Sequence, residues 1–227
     1  MTQYIVAAVG DWNRRFFDQW TPRLAGEWHF SDTPQTLQAI LKSGIKPTYI
    51  FFPHWRWVVP KAITNNFECV CFHMTDVPYG RGGSPLQNLI VRGHKETVLT
   101  ALQMDEGMDT GPVYFKVKLK LNGTAKEIYE RCSLLSWDLI SKIITQRPTP
   151  AAQIGDVVEF KRRNSRQSRL PEDIELSEIY DFIRMLDAPG YPNAFIESGG
   201  YRIEFNAAEL KDNELIARAK FTYLEEK

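Results

Sequence analysis

Short apolar runs alternate with helical stripes along most of the chain. Residues 4–9 form a β-rich apolar run closed by Gly10, as expected of a strand buried on both faces. Trp12, Phe16 and Trp20 then recur at helical spacing and predict a helix over 11–20. Trp28-His29-Phe30 predicts a short second strand. Ser31-Asp32-Thr33-Pro34 reads as a helix cap with proline in the first turn, leading into Leu37, Ile40 and Leu41 before Gly44. Further strands are expected at 47–52, 69–72, 95–104 and 112–121. One helix is expected between Pro85 and Gly93, and the strongest spans 124–144, with Thr124 as N-cap and Glu127 completing a capping box.

The pattern changes near Arg147-Pro148-Thr149-Pro150. Residues 161–169 are basic and polar, fitting either a solvated linker or contacts to phosphate groups. A short helix over 177–186 and two strands about Gly199-Gly200 are expected in the tail. The alternation predicts an α/β fold, divided into a Rossmann-like domain over 1–160 and a linker with a small α+β region over 161–227. The turn after the first strand lacks Gly-x-Gly-x-x-Gly, so no dinucleotide is expected there.

Composition narrows the classes. Lys plus Arg and Asp plus Glu are 28 each, so no net field draws in a nucleic acid or an anionic membrane surface. No apolar run approaches the roughly 20 residues needed to span a bilayer, and the start has no secretory pattern. The 3 cysteines, Cys69, Cys71 and Cys132, lack metal-type spacing, so a cytoplasmic protein with neither disulfide framework nor metal is expected.

Candidate chemistry collects in two loops. His73 closes the apolar run 67–72 and opens onto Pro78, Gly80, Gly82 and Gly83, where α/β sheets place ligands. Met108-Asp109-Thr110-Gly111 forms a second tight turn. An imidazole can move a proton or stabilise an oxyanion, and a carboxylate such as Asp109 can orient it. Glycine at 82, 83 and 107 permits close approach of a substrate. These features suit acyl transfer, and equally a structural histidine beside an ordinary connection. Residues 53–60 are aromatic-rich, either walling a flat ligand or packing over the sheet edge.

The run His73-Met74-Thr75-Asp76-Val77-Pro78-Tyr79-Gly80-Arg81-Gly82-Gly83-Ser84-Pro85, ending at Gly93, resembles the signature of formyltransferases that use N10-formyltetrahydrofolate, Asn-x-His-x-Ser-x-Leu-Pro followed by Arg-Gly-x-x-Pro and a Gly. Residues 103–111 resemble the second signature of that family, at the family's separation from His73. Tail residues 179–195 resemble the segment after the family's catalytic core. The resemblance implies a Rossmann-like core with a mostly parallel sheet flanked by helices. It implies N10-formyltetrahydrofolate as donor and His73 and Asp109 as catalytic residues. Cys71 stands at the position of the family's catalytic Asn. Phe52, His54, Trp55, Arg56, Val58, Arg81, Gly82, Gly83, Met104, Asp105 and Gly107 would meet the folate, and Thr75, Tyr79, Gly80 and Trp12 the acceptor.

Three acceptor classes are familiar in this family. Members acting on initiator tRNA carry a further C-terminal barrel, for which the residues after Arg166 look too few. Purine-pathway members bind a ribose phosphate on a Gly-rich N-terminal loop, which Gly10-Asp11-Trp12-Asn13 does not resemble. The loop from Tyr79 to Pro85 looks closest to amino-sugar N-formyltransferases of the pseudaminic-acid type, which serve glycan biosynthesis. The resemblance therefore implies folate and amino-sugar partners, no nucleic acid and no membrane, with the small tail able to pair two copies as a homodimer. A formyl-folate hydrolase and a non-catalytic folate or nucleotide-sugar binding module are the alternatives.

Overall fold

The structure, a computed structural model, describes residues 1–224. Its elements run β1 (Gln3–Ala8), α1 (Asp11–Trp20), β2 (Glu27–Ser31), α2 (Pro34–Lys42), β3 (Tyr49–His54), α3 (Lys61–Thr64), β4 (Cys69–His73) and β5 (Tyr79–Gly82). They continue with α4 (Pro85–Val91), β6 (Glu96–Gln103), β7 (Val113–Lys120), α5 (Ala125–Gln146) and β8 (Val158–Phe160). The chain closes with α6 (Leu176–Arg184), β9 (Ala194–Ser198), β10 (Tyr201–Lys211) and β11 (Glu214–Tyr223). Among the described residues, 1–82, 97–119 and 130–159 form one compact unit, and residues 83–96, 120–129 and 160–224 a second.

The first unit is built on a six-stranded sheet in the order β2-β1-β3-β4-β6-β7. The strands β2, β1, β3 and β4 pair in parallel, and β6 joins β4 antiparallel. The expected α/β architecture with a mostly parallel sheet is therefore present. Alternation along the strands separates two cores. Ile5, Ala7, Ile50, Phe52 and Cys69 pack with Leu37 of α2 and Ile63 of α3 on one face. On the other face Tyr4 lies 4.5 Å from Trp28, ring centre to ring centre, and Trp28 lies 5.9 Å from Trp137 of α5. Phe17 of α1 meets Trp137 at 6.2 Å.

Two N-termini are set by the expected side chains. Thr33 Oγ1 accepts the amide of Thr36, with Pro34 in the first turn of α2. Ahead of α5, Glu127 accepts the Thr124 amide at 2.7 Å and Thr124 Oγ1 accepts that of Glu127 at 3.3 Å, completing the capping box.

The second unit carries a three-stranded antiparallel sheet in the order β11-β10-β9. Gly199-Gly200 joins β9 to β10 as expected, but the long hairpin to β11 has no counterpart in the apolar pattern. Most β11 residues are exposed, so no buried face imposes an alternation to read. The buried Arg184 of α6 is held by Asp181 and by the carbonyls of Leu121 and Gly123. The stretch 79–82, expected as a loop because of its glycines, is instead the strand β5 and forms a two-stranded sheet with β8.

Trp137 is fully buried, and its indole Nε1 has no hydrogen-bond partner among the described residues. Trp137→Ala is expected to lower unfolding free energy by about 3–5 kcal/mol. Trp137→Phe should cost much less, because it removes an unsatisfied buried donor along with the lost area. Urea unfolding of the two variants checks the order.

Candidate active site

The site grows from the end of β4. Alternation puts Cys71 and His73 on one face of the strand. Cys71 sits in register with Phe52 of β3 and Leu102 of β6, and His73 lies opposite Thr100. Beyond the strand the chain turns through a cis Val77-Pro78 bond into β5. The Gly80 carbonyl is drawn back to the strand end, where His73 Nε2 donates to it at 2.8 Å and Thr75 Oγ1 at 3.2 Å.

The second loop is held as tightly. Asp105 Oδ1 accepts the Gly107 amide at 3.1 Å and the Thr110 hydroxyl at 2.5 Å, closing the turn on itself. A Cβ on Gly111 would stand 1.9 Å from the carbonyl oxygen of Gln103, so only glycine lets the turn lie against β6. Asp109 occupies the left-handed region at φ 55°, which short polar side chains tolerate. That conformation delivers its carboxylate to the first loop. Oδ2 stands 3.4 Å from His73 Nδ1 and accepts the Gly82 amide at 3.0 Å. Two motifs distant in sequence meet on one oxygen.

The other expected contacts divide. Trp55 packs edge-on against Phe52 at 5.8 Å and against Trp57 at 4.8 Å. With Val58, Val59, Pro60 and Ile63 of its own segment and Pro34, Leu37 and Gln38 of α2, Trp55 lines a small apolar recess. Trp55, Met104 and Cys71 each pack against the same core cluster. The Arg56 guanidinium lies 5.7 Å over Trp57.

Several residues expected at a ligand are engaged within the protein. Both the Nε and Nη2 of Arg81 donate to Gln153 Oε1, at 3.1 and 2.8 Å. A Cβ on Gly83 would fall 2.5 Å from Arg162 Cβ, so the close approach allowed there is used by the chain itself. Thr75 is fully buried with its hydroxyl on Gly80, and Trp12 is buried with its ring 5.8 Å from that of His54. Tyr79 and Gly80 lie on β5, with Tyr79 half-buried. Gln153 is the contributor that sequence reading missed, because a lone polar residue in an irregular segment carries no periodic or motif signal.

Electrostatics assign the thiol a passive state. Burial, and next the nearby Asp109 carboxylate, push the Cys71 thiol well above its ordinary range, so it is not a thiolate nucleophile here. His54 is shifted in the opposite sense. Burial, aided by Arg56, lowers it to about 4 and keeps the ring neutral against the aromatic wall.

This geometry agrees with the comparisons. Residues 28–144 match the formyl transferase family, and residues 165–222, expected to be too few for the C-terminal barrel of the tRNA-acting members, match a domain described as the methionyl-tRNA formyltransferase C-terminal domain. A solved structure described as methionyl-tRNA formyltransferase from Clostridium thermocellum is 43% identical, covers 98% of this chain and 100% of its own, and superposes with a TM-score of 0.95. A methionyl-tRNA formyltransferase of Campylobacter curvus is 29% identical over 171 residues, which are 73% of this chain and 56% of that protein. A sugar N-formyltransferase from a Shewanella species shares the fold, with a TM-score of 0.67 at 17% identity over 93% of this chain and 100% of its own. The chain belongs to the formyl transferase family. It spans about half the length of the curated relatives it matches.

The lowered His54 gives a pH prediction. The unfolded ring titrates near its ordinary 6.5 and the folded ring near 4, so the unfolded state binds the extra proton between those values. Stability therefore rises with pH across that window and falls as acid is added, by roughly 3 kcal/mol at most. His54→Gln is expected to flatten this part of the acid limb when urea unfolding is compared at pH 7 and pH 4.5.

Proposed function

We propose that the protein transfers a formyl group from N10-formyltetrahydrofolate to a primary amine. The observation that carries this reading is the shared Asp109 oxygen, which joins the two signature loops at His73. The apolar recess beside Trp55 and the aromatic segment after β3 suit one face of a flat pterin. A neutral acceptor amine attacks the formyl carbon, forming a C–N bond and a tetrahedral oxyanion. The bond from that carbon to the folate nitrogen then breaks, and the proton lost by the amine goes to the leaving nitrogen.

Asp109 orients His73 and carries that proton between the two nitrogens. The Nε2–H that His73 directs at Gly80 is its donor for the oxyanion, exchanged from the carbonyl when substrate enters. Cys71 stands where an amide donor is expected and contributes only a weak S–H donor.

For the acceptor we favour an amino sugar or sugar nucleotide of glycan biosynthesis. The balanced charge supports a small partner over a long polyanion, and the loop from Tyr79 to Pro85 resembles that group. The second reading is a methionyl-tRNA acceptor, favoured by the description of the Clostridium thermocellum relative. Purified protein with N10-formyltetrahydrofolate is offered amino-sugar nucleotides and charged initiator tRNA in parallel, and formylated product is measured by mass spectrometry. Product from neither sinks the transferase reading, and formate release without an amine points to hydrolysis.

His73→Ala and Asp109→Asn are each expected to lower kcat at least about 10³-fold while the fold persists by circular dichroism. Cys71→Asn is expected to raise kcat, by up to about 10²–10³-fold. An unchanged kcat there would mean that another donor already faces the oxyanion.

A further inference from the structure

We propose that Gln153 is a positioning residue, whose side-chain amide locks the Asp109 turn in the geometry that presents its carboxylate to His73. The proposal rests on the formyl-transfer reading for its kinetic consequence and on geometry alone for the lock. Gln153 lies in the irregular segment between α5 and β8. That segment is anchored two residues earlier, where Ala151 and Val113 exchange backbone hydrogen bonds of 2.9 and 2.7 Å. It is anchored again where the Val158 amide donates to the Pro78 carbonyl at 3.2 Å. Gln153 is thus carried between the start of β7 and the loop that opens the active site.

Its amide uses its full hydrogen-bonding capacity. Oε1 accepts from Arg81 Nε at 3.1 Å and from Nη2 at 2.8 Å. Nε2 donates to the carbonyl of Asp109 at 2.9 Å and to that of Gly111 at 2.8 Å. The amide cannot be flipped, since a guanidinium only donates and a carbonyl only accepts. These two carbonyls flank the Asp109-Thr110-Gly111 turn, whose first residue holds a positive φ that needs outside support. On the other side, Arg81 is followed by Gly82, whose amide donates to Asp109 Oδ2. Gln153 therefore ties the backbone of Asp109 to the strand that holds the Asp109 carboxylate.

The side-chain requirement is narrow. Glutamate would keep the acceptor for Arg81 but turn a carboxylate onto two carbonyls. Asparagine is one methylene short, and methionine keeps the volume without either function. The charge-assisted bonds from Arg81 set the orientation of Gln153.

The test compares wild type, Gln153→Glu and Gln153→Met as full-length chains. At saturating donor and amine, kcat per folded molecule is expected to fall about 10–100-fold in both variants, with KM for each substrate within about two-fold. Hydrogen exchange at the Gly82 amide, read by NMR, is expected to speed up by about ten-fold or more in both, as its Asp109 acceptor moves away. The exchange readout needs no turnover, so it decides on the lock even if the wild type formylates no amine. Wild-type kcat and Gly82 protection in Gln153→Glu would overturn the proposal. So would a loss of rate matched by loss of folded protein, which would mark Gln153 as merely structural.

Discussion

One carboxylate oxygen organises the site. Asp109 Oδ2 is shared between the imidazole of His73 and the amide of Gly82, and each contact fixes a different part of the surroundings. The histidine contact ties the turn after β6 to the end of β4. The amide contact ties it to β5, which would otherwise be a glycine-rich excursion. A carboxylate taken from water this far needs both partners, because removing one leaves a charge without compensation. The left-handed backbone at Asp109, the glycine at 111 and the self-closed turn at Asp105 all follow from bringing that oxygen into place.

The sheet makes the meeting possible. Parallel pairing of β1, β3 and β4 puts their C-terminal ends together, where the aromatic segment after β3 and His73 emerge side by side. β6 pairs antiparallel with β4, Thr100 opposite His73 and Gln103 opposite Val70, so β6 ends level with the start of β4 and the turn that follows must carry Asp109 back to His73. The aromatic core behind the sheet, centred on Trp137, supplies a stiff backing for these strand ends.

Cys71 marks where this chain departs from its family's pattern. The thiol packs against the core cluster of Phe52 and Cys69 and is held neutral by burial and by the Asp109 carboxylate. It contributes volume and little polarity, and a thiol is a weak donor compared with an amide. The same burial that excludes a thiolate would strengthen any amide placed there, because an electrostatic contact gains as water is removed.

Much of this was legible without coordinates, where local chemistry decides. The first strand ahead of Gly10, and the caps at Thr33 and Thr124 with the two helices they introduce, depend on nearest neighbours and periodicity. The pairing of His73 with Asp109 could be anticipated from two motifs in order, though not its distance or its shared oxygen. Tertiary structure alone decided that β5 is a strand, since its partner β8 lies far along the chain. It also decided that Gly83 accommodates Arg162, that the Thr75 hydroxyl meets the Gly80 carbonyl, and that the guanidinium of Arg81 turns to Gln153. Sequence by itself determined the kinds of element and which candidate groups lie in the two loops, because those follow from side-chain chemistry and local spacing. Which oxygen each donor meets depended on long-range register, and only the folded sheet sets that.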